Sequence, residues 1–239
     1  MKIEIIPCLQ DNFSYLIIDE KKNIACVIDP GEADPIIKYL DKKKINLKFI
    51  LNTHHHYDHV GGNQKLKKKY EAKVVGFKGD KDRIPEIDIL INDQEIWKYE
   101  NFETKIIHIP GHTLGHICFY FYNNKSVFTG DTLFSLGCGR LFEGTYSQMY
   151  ESLKKIKELP LDTKIFCGHE YTLNNSKFCL MHDQKNINLK NKIIEIDKKL
   201  KNNLPTIPST IKEELECNIF LRAKSIETFS KLRDLKDNF

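Results

Sequence analysis

The sequence contains no long apolar run, and this absence argues against an integral membrane protein. None of its segments approaches the ~20 consecutive apolar residues that a membrane-spanning helix needs. A cleavable leader is not expected either, because residues 1–6 already have the pattern of a first β-strand. We therefore expect a cytoplasmic protein that has no membrane partner.

Paired cysteines are missing as well. The 7 cysteines are odd in number, scattered along the chain and without a CxxC motif. Scattered thiols in a chain without a targeting segment are typical of a reducing compartment, so we expect free thiols and no disulfide framework. No convincing serine or cysteine triad is present, which gives no support to a side-chain nucleophile.

A strongly basic surface is the third absence. The formal net charge is only +4, which suits small anionic ligands but does not predict a nucleic-acid partner. What the chain does have is the composition of a globular protein, with 41% hydrophobic and 29% charged residues. No obligate protein partner is inferred from these features.

Short apolar segments alternate with amphipathic ones, and this pattern predicts an α/β fold. The first half has predicted strands at residues 3–6, 13–18, 24–28, 47–52 and 73–75 and predicted helices at 34–44 and 63–70. The second half has predicted strands at residues 103–108, 117–122, 126–129 and 164–167 and predicted helices at 147–159 and 225–239. Residues 79–99 are polar and mixed, and no element is assigned to them.

The turn THHHYDH, residues 53–59, concentrates metal-binding side chains between a predicted strand and a predicted helix. Imidazole and carboxylate together form a donor set that suits zinc, iron or manganese. A purification-tag histidine run would be terminal and would not carry an aspartate at fixed spacing after a strand, so we favour a metal site. The candidate ligands in this turn are His54, His56, Asp58 and His59.

Further candidate ligands follow other predicted strands. His112, Asp131 and His169 each come directly after an apolar segment, beside small or turn-forming residues. Each alone is weak, because a single polar residue at a strand end is more often a cap. Strand ends of one sheet system share an edge, however, so these side chains can converge on one site. Asp29 occupies a similar position, and we interpret it as a turn cap rather than a ligand.

These motifs resemble those of a known family. THHHYDH resembles the THxHxDH signature of the metallo-β-lactamase superfamily, and GHTLGH, GDTLF, GCGRLFEGT and GHEYT resemble hydroxyacylglutathione hydrolases, the glyoxalase II family. The similarity continues through PTIPST, NIFLR and KLRDLKDNF, so it covers nearly the whole chain. It implies an αββα metallo-β-lactamase sandwich at residues 1–174 and a C-terminal helical, glutathione-binding domain at residues 175–239.

The resemblance also implies a binuclear site with two divalent metal ions, zinc first, with iron or manganese as alternatives. The implied ligands are His54, His56 and His112 for the first metal, Asp58, His59 and His169 for the second, and Asp131 as a bridge. Asp58 and Asp131 would be the catalytic carboxylates, because they orient a hydroxide that bridges the metals. His55 and His116 match no ligand position, and we interpret them as spacing, structural or ligand-orienting residues.

The implied activity is hydrolysis of S-2-hydroxyacylglutathione thioesters, such as S-D-lactoylglutathione, to glutathione and a 2-hydroxy acid, the second step of methylglyoxal detoxification. The implied substrate-binding residues are Arg140, Leu141, Phe142, His169, Tyr171, Arg233 and Lys236. In a C-terminal helix, Arg233 and Lys236 are three residues apart and share a face. The alternative for this pair is that both side chains extend to solvent from the edge of an apolar stripe.

The chain departs from the family pattern at a few positions. Phe142 stands where the family usually has Tyr, Arg140 where it has Lys, and Ile219 where it has Pro. Three other functions are weighed. A mononuclear-iron sulfur dioxygenase of the same superfamily would need fewer ligands, and a tRNA-processing nuclease would need a basic arm. A non-catalytic metal-binding module would not need a site with open coordination positions.

Overall fold

The computed structural model describes residues 1–239, and its contacts divide the chain into two compact units. Unit 1 consists of residues 1–108 and 115–124, and unit 2 consists of residues 109–114 and 125–239. None of the helices combines the length and the hydropathy that crossing a lipid bilayer requires.

Unit 1 contains a six-stranded sheet whose strands follow chain order. The strands are β1 (Lys2–Cys8), β2 (Asn12–Asp19), β3 (Ile24–Ile28), β4 (Asn46–Leu51), β5 (Lys73–Phe77) and β6 (Ile87–Ile91). The first three pair antiparallel, as expected of strands joined by short turns, and the last three are added in parallel. The predicted strands of the first half are therefore confirmed.

Helices join β3 to β4 and β4 to β5, as is usual for crossover connections between parallel strands. These helices are α1 (Asp34–Lys43), α2 (Tyr57–Val60) and α3 (Asn63–Tyr70). Pro35 lies in the first turn of α1, where its missing N–H costs nothing, and Lys44 ends the helix in the left-handed conformation. Ile36 and Leu40 are fully buried in the core that also contains strand residues such as Val27.

A second group of strands completes unit 1: β7 (Ile96–Tyr99), β8 (Phe102–His108) and β9 (Ile117–Phe121), all antiparallel. The ring of Phe49 on β4 meets Trp97 at 4.9 Å and Tyr99 at 4.6 Å between ring centroids, both edge to face. Two sheets therefore pack against each other, with helices on the outer face of the first. Residues 79–99, to which the sequence assigned no element, contain all of β6 and β7.

Unit 2 begins with short strands. They are β10 (Ser126–Gly130), β11 (Leu133–Phe134), β12 (Gly137–Cys138), β13 (Lys164–Cys167) and β14 (Ser209–Thr210). β13 pairs parallel with β10 and antiparallel with β14. The helix α4 (Tyr146–Lys157) begins at a capping box, in which the Thr145 side chain and Gln148 satisfy each other's backbone N–H groups.

The rest of unit 2 is helical. Its helices are α5 (Thr172–His182), α6 (Ile187–Lys201), α7 (Ile211–Cys217) and α8 (Ile226–Asp237). The predicted α/β fold with a helical C-terminal region is thus confirmed. The domain boundary predicted between residues 174 and 175 falls inside α5 and stays a prediction.

Candidate metal centre

The turn that follows β4 carries the candidate ligands of unit 1. β4 ends at Leu51 and α2 begins at Tyr57, so the histidines lie where a rigid sheet passes into a helix. His54 is fully buried and His59 is 1% exposed. His56 and Asp58 are partly exposed. A catalytic metal needs ligands that are held in place and a side that remains accessible, and this turn offers both.

Asp29 orients two of these histidines. Its Oδ1 accepts a hydrogen bond from the Thr53 N–H at 2.7 Å, and its Oδ2 accepts one from Thr53 Oγ1 at 2.6 Å. The same Oδ2 lies 3.1 Å from Nδ1 of His59. Thr53 Oγ1 lies 3.0 Å from Nδ1 of His54, and because this hydroxyl donates to Asp29 it accepts from the ring. Both rings therefore keep the Nε2 lone pair for a cation.

Asp29 itself could also be considered as a ligand, because it forms a group with His54 and His59 whose ligand atoms lie within 4.8 Å of one another. Both of its carboxylate oxygens already accept hydrogen bonds, however, and the residue is 4% exposed. We therefore assign Asp29 to the orientation of the ligands. The turn-cap interpretation of Asp29 is therefore wrong, because the groups that its carboxylate holds lie 24 and 30 residues further along the chain.

Asp58 is held by Asn12, which the sequence assigned only to a turn. Asn12 Nδ2 donates to Asp58 Oδ2 at 3.0 Å and to the Asp58 carbonyl at 3.2 Å. Oδ2 of Asp58 lies 3.6 Å from Nε2 of His59, a spacing at which both atoms can bind one cation. Gly31 lies against this carbonyl, where a Cβ atom would come within 2.3 Å of the oxygen, so no larger residue fits.

In unit 2, one carboxylate oxygen lies near two imidazoles. Oδ2 of Asp131 is 3.2 Å from Nε2 of His169 and 3.6 Å from Nε2 of His112, and all three residues are buried. His112 Nδ1 lies 2.7 Å from the Arg140 carbonyl, which can only accept, so this nitrogen carries the proton and Nε2 has the lone pair. One carboxylate oxygen of Asp131 therefore lies close to an imidazole nitrogen of each histidine.

Two of the candidate substrate-binding arginines meet at one carboxylate. Oδ1 of Asp237 accepts from Arg233 Nη2 at 3.0 Å and from Arg140 Nε at 3.1 Å. Arg233 is 4% exposed and also donates to the Cys138 carbonyl at 2.6 Å, whereas Arg140 is exposed. The buried guanidinium is therefore fixed on both sides, and the exposed one can exchange its partner.

Lys236 differs from both arginines. No protein group accepts a hydrogen bond from its buried Nζ, which lies 5.2 Å from the ring centroid of Phe178 and 4.7 Å from that of Phe239. Burial lowers the pKa of Lys236, and the charge of Arg233 lowers that pKa further. The ammonium is thus held against aromatic faces with its donors unfilled, as a site for a small anion would require.

Two of the remaining candidate substrate residues, Phe142 and Tyr171, contact candidate ligand histidines of unit 2. The Phe142 ring is 62% exposed and meets the His112 ring edge to face at 5.2 Å. The Tyr171 ring stacks on the His169 ring at 4.7 Å with an interplanar angle of 8°. Leu141, which precedes Phe142 in the sequence, is half-buried. Aromatic side chains therefore cover one side of each imidazole.

The cysteines offer no nucleophile. All are buried and none forms a disulfide, in agreement with the expectation from the sequence. Burial raises the pKa of Cys167 and of Cys179 to about 12, and that of Cys217 to about 11. Since the thiolate is the reactive form, these thiols are inert near neutral pH.

Two family models together match nearly the whole chain. A metallo-β-lactamase superfamily model matches residues 10–169, and a model for the C-terminus of hydroxyacylglutathione hydrolases matches residues 170–239. A hydroxyacylglutathione hydrolase of Pelagibacter ubique is 76% identical over 239 residues and covers 100% of both chains. Another, from Prochlorococcus marinus, is 46% identical over 231 residues and covers 96% of this chain and 93% of the relative.

Solved structures share the fold at lower identity. ETHE1 from Myxococcus xanthus superposes with a TM-score of 0.75 at 24% identity and covers 98% of this chain and 90% of its own. The BLEG-1 B3 metallo-β-lactamase gives a TM-score of 0.73 at 21% identity and covers 93% and 100%. At these identities the likeness establishes the metallo-β-lactamase fold and nothing finer.

Proposed function

Because this chain belongs to the metallo-β-lactamase superfamily and, within it, to the hydroxyacylglutathione hydrolases, we propose that it hydrolyses S-2-hydroxyacylglutathione thioesters. S-D-lactoylglutathione is the expected substrate, glutathione and a 2-hydroxy acid are the products, and the reaction is the second step of methylglyoxal detoxification. The observation that carries the proposal is the match of residues 170–239 to the hydrolase C-terminus, because this region contains Tyr171, Arg233 and Lys236 of the proposed glutathione contacts.

The candidate ligands fit a pair of divalent cations, and zinc suits their donor set best, with iron or manganese as alternatives. The proposed ligands are His54, His56 and His112 for one ion, Asp58, His59 and His169 for the other, and Asp131 as their bridge. Support comes from three imidazoles, those of His54, His59 and His112, whose Nδ1 atoms are all occupied by partners. Bound cations of this kind supply an acidified water and polarise a carbonyl group.

The protein's own groups position the reaction. Asp29 fixes the tautomers of His54 and His59, and Asn12 fixes the carboxylate of Asp58. Asp58 and Asp131 are proposed to accept hydrogen bonds from the attacking water and so to orient it. Water adds to the thioester carbonyl, and the C–S bond breaks when this adduct collapses to the 2-hydroxy acid and the glutathione thiolate. The thiolate leaves without a general acid because thiols have a pKa of about 8.5, and the protons of the water pass to the thiolate and to solvent.

Recognition of glutathione is proposed to depend on unit 2. Lys236 provides a cation without a hydrogen-bond partner, and Arg140 provides an exposed guanidinium for a carboxylate of the substrate. Arg233 would act mainly by holding Asp237 and the Cys138 carbonyl. Leu141, Phe142, His169 and Tyr171 are proposed to border the substrate beside the metal ligands.

The test is turnover of S-D-lactoylglutathione by the purified protein, with metal analysis of the same sample. We expect two metals per chain and release of one glutathione per thioester consumed. Oxygen uptake with glutathione persulfide and no thioester hydrolysis would favour the sulfur dioxygenase instead. Bound metal with neither activity would indicate a metal-binding module.

A further inference from the structure

The histidine in the middle of the metal-binding turn has a partner that the ligand set does not explain. His55 lies between His54 and His56, and its Nδ1 is 3.1 Å from Oδ2 of Asp80. The His55 side chain is 18% exposed, whereas that of Asp80 is fully buried. Asp80 belongs to a 3₁₀ turn at residues 78–80 that the sequence did not predict. Its carboxylate contacts the metal-binding turn at His55, between two proposed ligands.

Several hydrogen bonds hold Asp80 at this position. Its Oδ1 accepts from Nε of Arg83 at 3.0 Å and also from Nη2 of the same guanidinium. Its backbone carbonyl accepts from the N–H groups of Arg83 and Ile84 at 2.9 and 3.0 Å. A buried carboxylate costs free energy unless it is paired and hydrogen-bonded, and here both conditions are met.

The same carboxylate explains a glycine in the motif GHTLGH. A Cβ atom on Gly115 would lie 1.9 Å from Oδ1 of Asp80 and 2.2 Å from its Cγ, so the two residues can pack only if position 115 is glycine. The next residue, His116, is fully buried and stacks on the ring of His54 at 4.5 Å with an interplanar angle of 19°. Asp80 thus lies against both segments that touch His54.

We propose that Asp80 is a positioning residue for the metal-binding turn. By holding His55, it fixes the backbone between His54 and His56. By packing on Gly115, it sets the place of His116 and hence the ring plane of His54. Arg83 balances its charge, so the carboxylate can serve as an acceptor without a second ion. The inference rests on the proposed function only in taking His54 and His56 as ligands.

The test is the affinity of the metal-free protein for Zn²⁺, measured by competition with a chromophoric chelator. Asp80→Asn keeps the side-chain shape but removes the charge, and we expect zinc to bind about 10- to 100-fold more weakly, as is typical of groups that support ligands. The Co²⁺-loaded variant should show shifted visible absorption bands. Asp82→Asn, an exposed acid two residues away, is the matched control and should bind zinc as the wild type does.

Variants of His55 separate positioning from folding. His55→Ala should weaken zinc binding in the same direction, and His55→Gln, which retains a donor for Asp80, should restore part of the loss. The double variant His55→Ala with Asp80→Asn should be no worse than the weaker-binding single variant, because both changes interrupt one contact. If Asp80→Asn does not fold, the two His55 variants alone give the result.

Wild-type zinc affinity and cobalt spectra in both Asp80→Asn and His55→Ala would overturn the inference, even if the metal-free melting temperature fell, because Asp80 would then be merely structural. A wild-type protein that binds zinc but does not hydrolyse the thioester would refute the proposed function alone. In that case a lower affinity of Asp80→Asn would still support the positioning role.

Discussion

The proposed ligand histidines of the two units are supported by different chemistry. In unit 1, the ring of His59 hydrogen-bonds directly to the carboxylate of Asp29. The ring of His54 hydrogen-bonds to the hydroxyl of Thr53, which donates to the same carboxylate. In unit 2, Nδ1 of His112 donates a hydrogen bond to the backbone carbonyl of Arg140, which is a neutral acceptor. A charged partner makes an imidazole more basic than a neutral one does. We therefore expect the proposed ligands of unit 1 to contribute more to metal affinity. In unit 2, the orientation of His112 depends on Arg140, a residue that is proposed to touch substrate.

The largest effect is expected at Asp131, the carboxylate that is proposed to bridge the two metals. Asp131→Ala removes the carboxylate oxygen that lies close to Nε2 of both His112 and His169, so both ions should be held less tightly. We expect metal content to fall and hydrolysis to drop by at least about 100-fold, beyond the loss typical of a supporting residue. Metal analysis and kcat on the same preparation measure this. Two metals with normal turnover would refute the bridging role.

The next prediction tests the charge that distinguishes unit 1. Asp29→Asn keeps an acceptor but turns an amide N–H₂ toward donors, so a buried hydrogen bond is lost. We expect zinc affinity to fall about 10- to 100-fold and the free energy of unfolding to fall by about 1–3 kcal/mol. Chelator competition and chemical denaturation measure the two effects. The exposed acid variant Glu20→Gln should change neither. If Asp29→Asn bound zinc as tightly as the wild type, a charged partner such as the Asp29 carboxylate would add no more to metal affinity than a neutral carbonyl does.

The distance along the chain between interacting residues explains what the sequence could and could not predict. The ligand turn was predictable because its donors lie within seven residues, 53–59, after an apolar strand. Asp29 and Asn12 were not, because the groups they hold lie 24 to 46 residues away and no local spacing marks them. The elements in residues 79–99 escaped because β7 has only four residues and only one of the five residues of β6, Ile91, is buried. Long-range pairing, rather than local pattern, defines such strands.

Two cations on α8 should respond differently, although the sequence placed them on one face. Lys236→Met removes an ammonium that has no protein partner, so KM for S-D-lactoylglutathione should rise about tenfold while stability is retained. Arg233→Met leaves the Cys138 carbonyl and Asp237 without their donor, so stability should fall by about 1.5–3 kcal/mol. Steady-state kinetics and melting temperatures separate the two. Equal effects on both quantities would refute the distinction.

The charge of Lys236 also predicts a pH dependence. Because burial lowers its pKa below the usual 10.5, the ammonium should lose its proton at a pH at which exposed lysines keep theirs. Only the protonated form attracts an anionic substrate, so KM should rise with increasing pH in the alkaline range. Lys236→Met should abolish this rise. A rise of the same size in the variant would assign it to another group.

The smallest effect is expected at Phe142, where this chain departs from the family's usual Tyr. The ring is 62% exposed and packs edge to face on His112, so a hydroxyl added by Phe142→Tyr would point to solvent or substrate rather than into a core. Stability should therefore not change.

If this hydroxyl reaches a polar group of glutathione, a neutral hydrogen bond of about 0.5–1.5 kcal/mol should lower KM about two- to tenfold. The proposed metal ligands are unchanged, so kcat should move little. Measuring KM and melting temperature on Phe142→Tyr, with Phe142→Leu as a control that removes the ring, tests this. An unaltered KM in Phe142→Tyr together with a lower melting temperature would place the ring in packing and remove it from the substrate-binding residues.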